Sequence, residues 1–386
     1  MQGWVVDGLY SFANGALRVG QQCLWLGPRP RAAARVGIYR IGNIGDIVCA
    51  LPAMAAIRRT YPAARLTLVT SPGCRGSVGA RELLREAPWI NATCVYYTED
   101  VNTVAGRWAL VRRLRRMAFD VWIELPNDLA SFCVLWRNLL MARLIGARWA
   151  YGWRLNTIYW AARAQAERRA FPSETRRLLA ILAEIGIEGD PAEFSLPMGA
   201  QRRQVVEQLF AQTGWGGSSL VAIAPAARRS PNRWPAERFA EVGRYVSEQG
   251  YRVVVLGGVQ DAELCQRVAD GIGPGSLSMA GKLQLLESCE LLQRCRLLVC
   301  NDSGVQHLAV AVGVPSIALF SCRDFRGKWW PYGPHHTVVQ KQVECHACFV
   351  EICPFENRCI NLIEAQEIMA LVSQRLGLRG AHGATV

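Results

Sequence analysis

At 386 residues the chain is too long for one ordinary core and suits two α/β domains. With 51% hydrophobic and 19% charged residues it is globular rather than disordered. The formal charge of +13 is lopsided: residues 1–190 hold 25 Arg against 14 acidic side chains and no lysine, whereas residues 191–386 hold 19 basic against 17 acidic. An anionic partner is therefore expected at the first half, arginine being the better fork for phosphate oxygens.

The basic half lacks the basic and aromatic module patterns of nucleic-acid readers, so no nucleic-acid partner is expected. Ten of the 14 cysteines are scattered through apolar stretches, which suits a reducing cytosol. No secretory signal is legible in residues 1–17, and no run reaches the roughly 18 apolar residues of a spanning helix.

Residues 1–35 read as an amphipathic extension and linker. Asp7, Ser11, Asn14, Arg18 and Gln21 give one polar stripe, while Trp4, Val5, Leu9, Phe12, Leu17 and Trp25 fill the rest. Arg29, Arg31 and Arg35 follow. Such a helix suits an anionic bilayer surface, or packing on its own domain or on a second copy. A strand is expected over 36–41, a helix over 45–60 ending before Tyr61-Pro62, and a strand over Arg65 to Ser71. Further buried strands are expected at Val95 to Tyr97 and Val121 to Leu125, with a basic helix over 107–118 between them. Residues 129–162 carry Trp136, Trp149, Trp153, Tyr159 and Trp160 interspersed with arginines, a pattern that suits an amphiphilic anionic acceptor or, more commonly, a packed core helix with an exposed arginine face.

The first domain is expected over 36–190 and the second over 200–376, joined by a polar link around Glu188 to Gly199. In the second domain strands are expected at Leu220 to Ala224, Arg252 to Gly257, Leu297 to Cys300 and Ser316 to Phe320. Helices are expected at Pro235 to Gln249, Gln260 to Ile272, Leu283 to Gln293, Gly304 to Val312 and 363–376. This alternation is the α/β signature.

Two glycine turns stand out, each where an apolar run gives way to a helix. In the first, Gly42, Asn43 and Gly45 form the turn and Asp46 stands where the helix starts. A carboxylate there caps the helix or serves as a general base. In the second, Asp302, Ser303 and Gly304 open a helix that carries His307. A helix N-terminus offers free N–H groups to phosphate. Arg228, Arg229 and Arg233 lie in a loop at the edge of the second sheet, where cations stabilise a departing diphosphate. Gln260 and Asp261 follow Gly257-Gly258 and suit ribose hydroxyls. Cys345, Cys348, Cys353 and Cys359, the cluster at 345–359, have a spacing that leaves a structural zinc, disulfide pairing, or neither all open.

Taken in order, Arg40-Ile-Gly-Asn-Ile-Gly-Asp46 with Leu51-Pro52, Arg233-Trp234-Pro235, Leu256-Gly-Gly258, Ala280-Gly281 and Asn301-Asp-Ser-Gly-x-x-His307 resemble glycosyltransferase family 9, the ADP-heptose:lipopolysaccharide heptosyltransferases. The resemblance covers about residues 36–376, and the Cys-rich tail with Cys353-Pro354 shares in it. It implies an α/β GT-B fold, two facing Rossmann-like domains with a deep interdomain cleft, acceptor domain first and donor domain second. It further implies inverting transfer of a heptose from ADP-heptose to a lipopolysaccharide core or similar anionic glycolipid. No catalytic metal or cofactor is implied. The place would be the cytoplasmic face of the inner membrane.

On the same resemblance Asp46 is the base, and Asp302, Ser303, Gly304 and His307 contact the donor nucleotide and diphosphate. Asn232 departs from the pattern, because a lysine commonly stands there. Two rival readings remain open at this point: a nucleotide-sugar epimerase of GT-B fold, and a non-catalytic nucleotide-binding protein at the membrane surface.

Overall fold

The computed structural model describes residues 2–157, 170–194 and 196–378. Tyr159 and Trp160 lie outside the described residues, as do the side chains of Trp4, Val5 and Asp7. The chain divides after Phe194 into two compact units.

The first unit contains α1 (Gln2–Leu24), β1 (Arg35–Tyr39), α2 (Ile44–Thr60), β2 (Arg65–Thr70), α3 (Ala80–Leu83) and β3 (Ala92–Val95). It continues with α4 (Val104–Arg116), β4 (Val121–Glu124), α5 (Phe132–Leu144), β5 (Trp149–Tyr151) and α6 (Glu174–Ala183). Its five strands lie in the order β3-β2-β1-β4-β5, all parallel. Parallel strands are covered on both faces, which is why their sequences are nearly unbroken apolar runs. Tyr39 stands opposite both Val69 and Glu124, so the central strands end together at one edge.

Helix α4 starts three residues before its expected place because Thr103 Oγ1 accepts the Gly106 N–H at 3.1 Å. The aromatic stretch after residue 129 is not one element. It divides into α5 and the short strand β5, whose aromatic residues hide a strand inside an apparent helix pattern. The strand expected at Val95 to Tyr97 lies earlier, over β3.

Helix α1 packs on the chain's own first unit. Asn14 grips the backbone of Leu155 twice, donating Nδ2 to its carbonyl at 3.0 Å and accepting its N–H at 2.9 Å. Trp25 donates Nε1 to the Ala147 carbonyl at 2.8 Å and stacks on Trp153 with ring centroids 5.4 Å apart. Gly20 allows this approach, because a Cβ there would stand 2.7 Å from the Trp136 ring on α5. The other side of α1 keeps Leu9, Phe12 and Val19 exposed.

The second unit contains α7 (Ala200–Thr213), β6 (Leu220–Ala224), α8 (Ala236–Glu248), β7 (Arg252–Val255), α9 (Ala262–Ile272) and β8 (Ser276–Ser278). It continues with α10 (Leu285–Gln293), β9 (Cys295–Asn301), α11 (Gly304–Val312), β10 (Ser316–Phe320), β11 (His336–Gln340), α12 (Arg358–Asn361) and α13 (Ala365–Leu376). Its six parallel strands run β11-β10-β9-β6-β7-β8. Val221, Ile223, Phe239, Val253, Leu297 and Ile317 are among its fully buried core. The edge strands β8 and β11 were not expected: one is three residues with two serines, and the other is mostly half-buried. Neither presents an apolar run. No described helix is long and apolar enough to cross a membrane.

Truncating Trp25 removes a buried ring and its hydrogen bond. Trp25→Ala should lower the unfolding free energy by about 3–5 kcal/mol, read from denaturant unfolding. Phe12→Ser, on the exposed side of α1, which ends just before Trp25, should change it by less than about 0.5 kcal/mol. Equal effects from the two would show that α1 is not part of the first unit's core.

Candidate active site

In the first unit β1 runs directly into Arg40, whose side chain is fully buried. Its Nη1 donates to the Leu125 and Pro126 carbonyls at 3.2 and 3.0 Å, and its Nη2 to Glu174 Oε1 at 3.0 Å. The same Nη2 lies 3.3 Å from Asp46 Oδ1, and Nε reaches the Asp46 carbonyl. Glu174 is shared with Arg177, whose Nε donates to it at 2.8 Å and stands 3.5 Å from Asp128. Burial opposes the Arg177 charge, yet Glu174 and Asp128 raise its pKa overall.

Asp46 sits in the first turn of α2 and closes a capping box: its Oδ2 accepts the Asn43 N–H at 2.9 Å. Asp46 is therefore fixed on both oxygens, while its side chain remains 22% exposed. Gly45 lies in the same turn of α2 and Asn43 caps it. Gly42 has φ +140°, and a Cβ there would stand 2.5 Å from the Asp46 Cβ and Cγ. The turn thus admits only glycine while Asp46 keeps its place.

Glu124 ends β4 at the same edge and was not singled out from sequence. It is buried, with Oε1 accepting from Asn138 Nδ2 and Oε2 from Trp153 Nε1, both at 2.7 Å. Burial outweighs these donors and pushes its pKa up to about 7. A carboxylate inside an otherwise apolar strand run was the available signal.

In the second unit the residues flanking β6, β9 and β10 converge. Asn301 is fully buried, accepts the Trp234 N–H at 3.1 Å and donates to the Pro225 carbonyl at 2.7 Å. It pins the basic loop to the end of β9. Asp302 accepts from Asn232 Nδ2 at 2.9 Å, and Asn232 in turn accepts from Ser321 Oγ at 2.6 Å. Asn232, where the resemblance calls for a lysine, is thus a structural bridge. Burial, then the nearby Asp324, raise the Asp302 pKa to about 7, with Arg323 opposing. A carboxyl close to neutrality repels an approaching anion less than a full carboxylate does.

Ser303 caps α11, and Gly304 begins it. Among the described residues Ser303 Oγ, Gln306 Oε1 and Trp330 Nε1 are buried without a hydrogen-bond partner. All three belong to α11 or to the segment that packs on it, since Gln306 Nε2 donates to the Trp329 carbonyl and the His307 ring meets the Trp329 ring edge-on. His307 is buried, and burial followed by His336 lowers its pKa to about 4. It is a neutral imidazole near pH 7, a hydrogen-bonding group rather than a cation.

Arg228 and Arg233 are exposed and Arg229 is half-exposed. Arg229 pairs with Glu351, and Arg323 reaches the same carboxylate at 3.5 Å. Desolvation, then Arg228 and Arg323, lower the Arg229 pKa. Arg233 instead turns its Nε onto the Ala227 carbonyl at 2.8 Å. Gln260 is exposed, and Asp261 accepts the Gly258 N–H at 3.1 Å as the cap of its own turn. Arg323, Asp324 and the buried Lys328 were missed from sequence. They follow β10 at the strand edge, where the rule that selected the other loops also applies.

All 14 cysteines are free, and no group of three or more described His, Cys, Asp or Glu side chains is arranged to hold a metal. The disulfide and structural-zinc alternatives for Cys345, Cys348, Cys353 and Cys359 therefore find no support in the geometry. Cys359 is engaged with Cys322 instead, whose backbone N–H it accepts at 3.3 Å.

Two measurements probe these arrangements. Gly42→Ala forces a strained φ and a collision with Asp46, and should cost about 1–3 kcal/mol in denaturant unfolding while sharply lowering turnover. Unchanged turnover would mean that Asp46 need not hold this position. Glu124 has its folded pKa raised from 4.5 to about 7. Its contribution is fully present below about pH 4.5 and is lost as pH rises through 7, by on the order of 3 kcal/mol. The stability of the native chain relative to Glu124→Gln should therefore fall between pH 5 and 8. Parallel pH profiles for the two proteins would remove Glu124 as the titrating group.

The sequence model of glycosyltransferase family 9 (heptosyltransferase) matches residues 107–358. Lipooligosaccharide heptosyltransferase 2 of Haemophilus influenzae is 25% identical over 290 residues, covering 72% of this chain and 80% of the relative. A solved family 9 glycosyl transferase from Veillonella parvula superposes with a TM-score of 0.75 at 20% identity, covering 92% of this chain and all of the other. The solved Escherichia coli ADP-heptose lps heptosyltransferase II gives a TM-score of 0.65 at 20% identity, covering 89% of this chain and 98% of the other. These likenesses establish the α/β GT-B fold built from two Rossmann-like domains. With the family match spanning well over half of its length, the chain belongs to glycosyltransferase family 9 and is a glycosyltransferase of the heptosyltransferase type.

Proposed function

We propose that this enzyme transfers a heptose from ADP-heptose to a lipopolysaccharide core or a similar anionic glycolipid, with inversion at the anomeric carbon. The observation that carries the proposal is Asp46: a carboxylate locked by Arg40 and the Asn43 N–H, yet still open to solvent. The names of the Escherichia coli and Haemophilus influenzae relatives support the choice of donor and acceptor.

The first unit takes the acceptor. Asp46 removes the proton from an acceptor hydroxyl as its oxygen bonds to the anomeric carbon. The bond from that carbon to the diphosphate oxygen breaks, and ADP leaves with the electron pair. The second unit holds the donor. Its α11 N-terminus and the Ser303 hydroxyl meet the diphosphate, with Arg228, Arg229 and Arg323 stabilising the developing negative charge. Neutral His307 donates or accepts a hydrogen bond there without adding charge. The unpartnered Ser303 Oγ, Gln306 Oε1 and Trp330 Nε1 support a polar ligand at this helix end. Gln260 is free to meet the ribose, whereas Asp261 is engaged by its own turn.

The same reading puts the protein at the cytoplasmic face of the inner membrane. The exposed Leu9, Phe12 and Val19 of α1 and the arginine excess of residues 1–190 support that placement.

Incubation with ADP-heptose and a heptose-deficient lipid A–Kdo acceptor should add one heptose mass to the lipid. Asp46→Asn should lower turnover by about 100-fold or more while ADP affinity stays within about threefold. Full transfer by the variant would remove Asp46 as the base, and binding of ADP-heptose without any product would remove the transfer itself.

A further inference from the structure

The first unit contains a cavity of about 320 Å³ between α4, α5 and the sheet face beneath them. It is built entirely from this unit. Its walls are Leu110 and Leu114 of α4, Met141 of α5, Ile145 just after it, and Trp122 of β4. Tyr39, Tyr96, Arg107, Arg137 and Asn138 also line it.

These groups are not mixed at random. Tyr39 ends β1, Tyr96 follows β3, and Glu124 ends β4, so the polar groups gather at the C-terminal edge of the sheet. In a parallel sheet with helical crossovers the helices return antiparallel to the strands. Early helix positions therefore lie at that edge and late positions toward the opposite edge. Arg107 is in the first turn of α4, and Arg137 and Asn138 are in the first half of α5. Leu114, Met141 and Ile145 come later. The cavity is thus graded along its length, polar and basic at one end and apolar at the other.

The polar end carries two arginines against one acid. Arg107 and Arg137 are both exposed at it. The acid among the lining residues, Glu124, is buried, with one oxygen accepting from Asn138 and the other from Trp153, so the two guanidinium groups outnumber it. The Tyr39 and Tyr96 hydroxyls pair at 2.7 Å, which leaves one hydroxyl hydrogen to donate outward. Arg137 donates to Asn138 Oδ1 at 2.9 Å and so steadies the amide that holds Glu124.

We propose that this cavity binds an anionic amphiphile: one acyl chain lies along Leu110, Leu114, Met141 and Ile145, and a phosphate or carboxylate head meets Arg107 and Arg137. A pocket of this volume falls at the lower end of the range for small-molecule sites, and its apolar wall with a few placed polar groups is their usual character. The cavity lies in the unit to which the proposed function gives the anionic glycolipid acceptor and rests in part on that reading, but dodecyl phosphate binding and heptose transfer are read separately, so either can fail alone.

The probe is dodecyl phosphate, kept below its critical micelle concentration and titrated by calorimetry into the full chain, with dodecyl maltoside as the uncharged comparison. The phosphate should bind about tenfold or more tightly than the maltoside. Met141→Trp, which fills the apolar end, should weaken dodecyl phosphate binding about tenfold or more, with ADP affinity unchanged. Arg137→Gln, at an exposed position, should narrow the preference for phosphate over maltoside, and it decides the question if Met141→Trp fails to fold. Competition by phosphatidylglycerol vesicles would identify a bilayer as the source of the chain, and its absence a free amphiphile. Equal affinity for the two detergents in the native chain would overturn the proposal. So would dodecyl phosphate binding untouched by both variants.

Discussion

The first unit depends on one buried guanidinium. Arg40 has no contact with solvent and gives its donors to the loop after β4, to Asp46 and to Glu174. Taking such a charge out of water costs several kcal/mol unless every donor is met. Its partners come from the start of α2, from the loop after β4 and from the start of α6, so one side chain ties the three segments together. Asp46 inherits its direction from this constraint. The helix end alone would hold the carboxylate through Asn43, but the approach of Arg40 fixes its other oxygen. In the proposed mechanism Asp46 presents one lone pair to a reacting hydroxyl, and such a group benefits from having its rotation removed beforehand.

The second unit handles charge by the opposite means. Its carboxyl at Asp302 and its imidazole at His307 are both shifted toward neutrality by burial, to about 7 and about 4. Arg323 acts on Asp302, and Arg229 lies beside Arg323 and Arg228. The balance at this helix end therefore favours anions, although an aspartate and a histidine are its most conspicuous residues. Glu351 tempers the arginines, sharing its carboxylate between Arg229 and Arg323. An incoming diphosphate would compete with that carboxylate for the same donors.

Much of this was legible in the sequence, and the reasons for the rest are physical. Buried parallel strands announce themselves as apolar runs, so β1, β2, β4, β6, β7, β9 and β10 could be placed within a few residues. The edge strands β8 and β11 could not, because an edge strand need not be apolar. The glycine turn before Asp46 and the Asp302-Ser303-Gly304 helix start were visible as local patterns. Their partners were not: Glu174 lies 134 residues from Arg40, and no local spacing links them. Glu124 passed unnoticed as one acid in an apolar strand. Asn232 stands where the resemblance calls for a lysine, and only the structure shows it tied to Asp302 and Ser321.

Helix α1 falls outside both the family-matched span and the residues that carry the motifs, yet Trp25 and Asn14 are built into the wall around Trp153 and Leu155. Domain exchange among relatives has to respect that graft. A hybrid joined at the first strand, where the shared pattern begins, would strip an aromatic neighbour from Trp153, the same indole whose N–H holds Glu124. The portable segment of this enzyme starts well upstream of the point at which its kinship becomes visible.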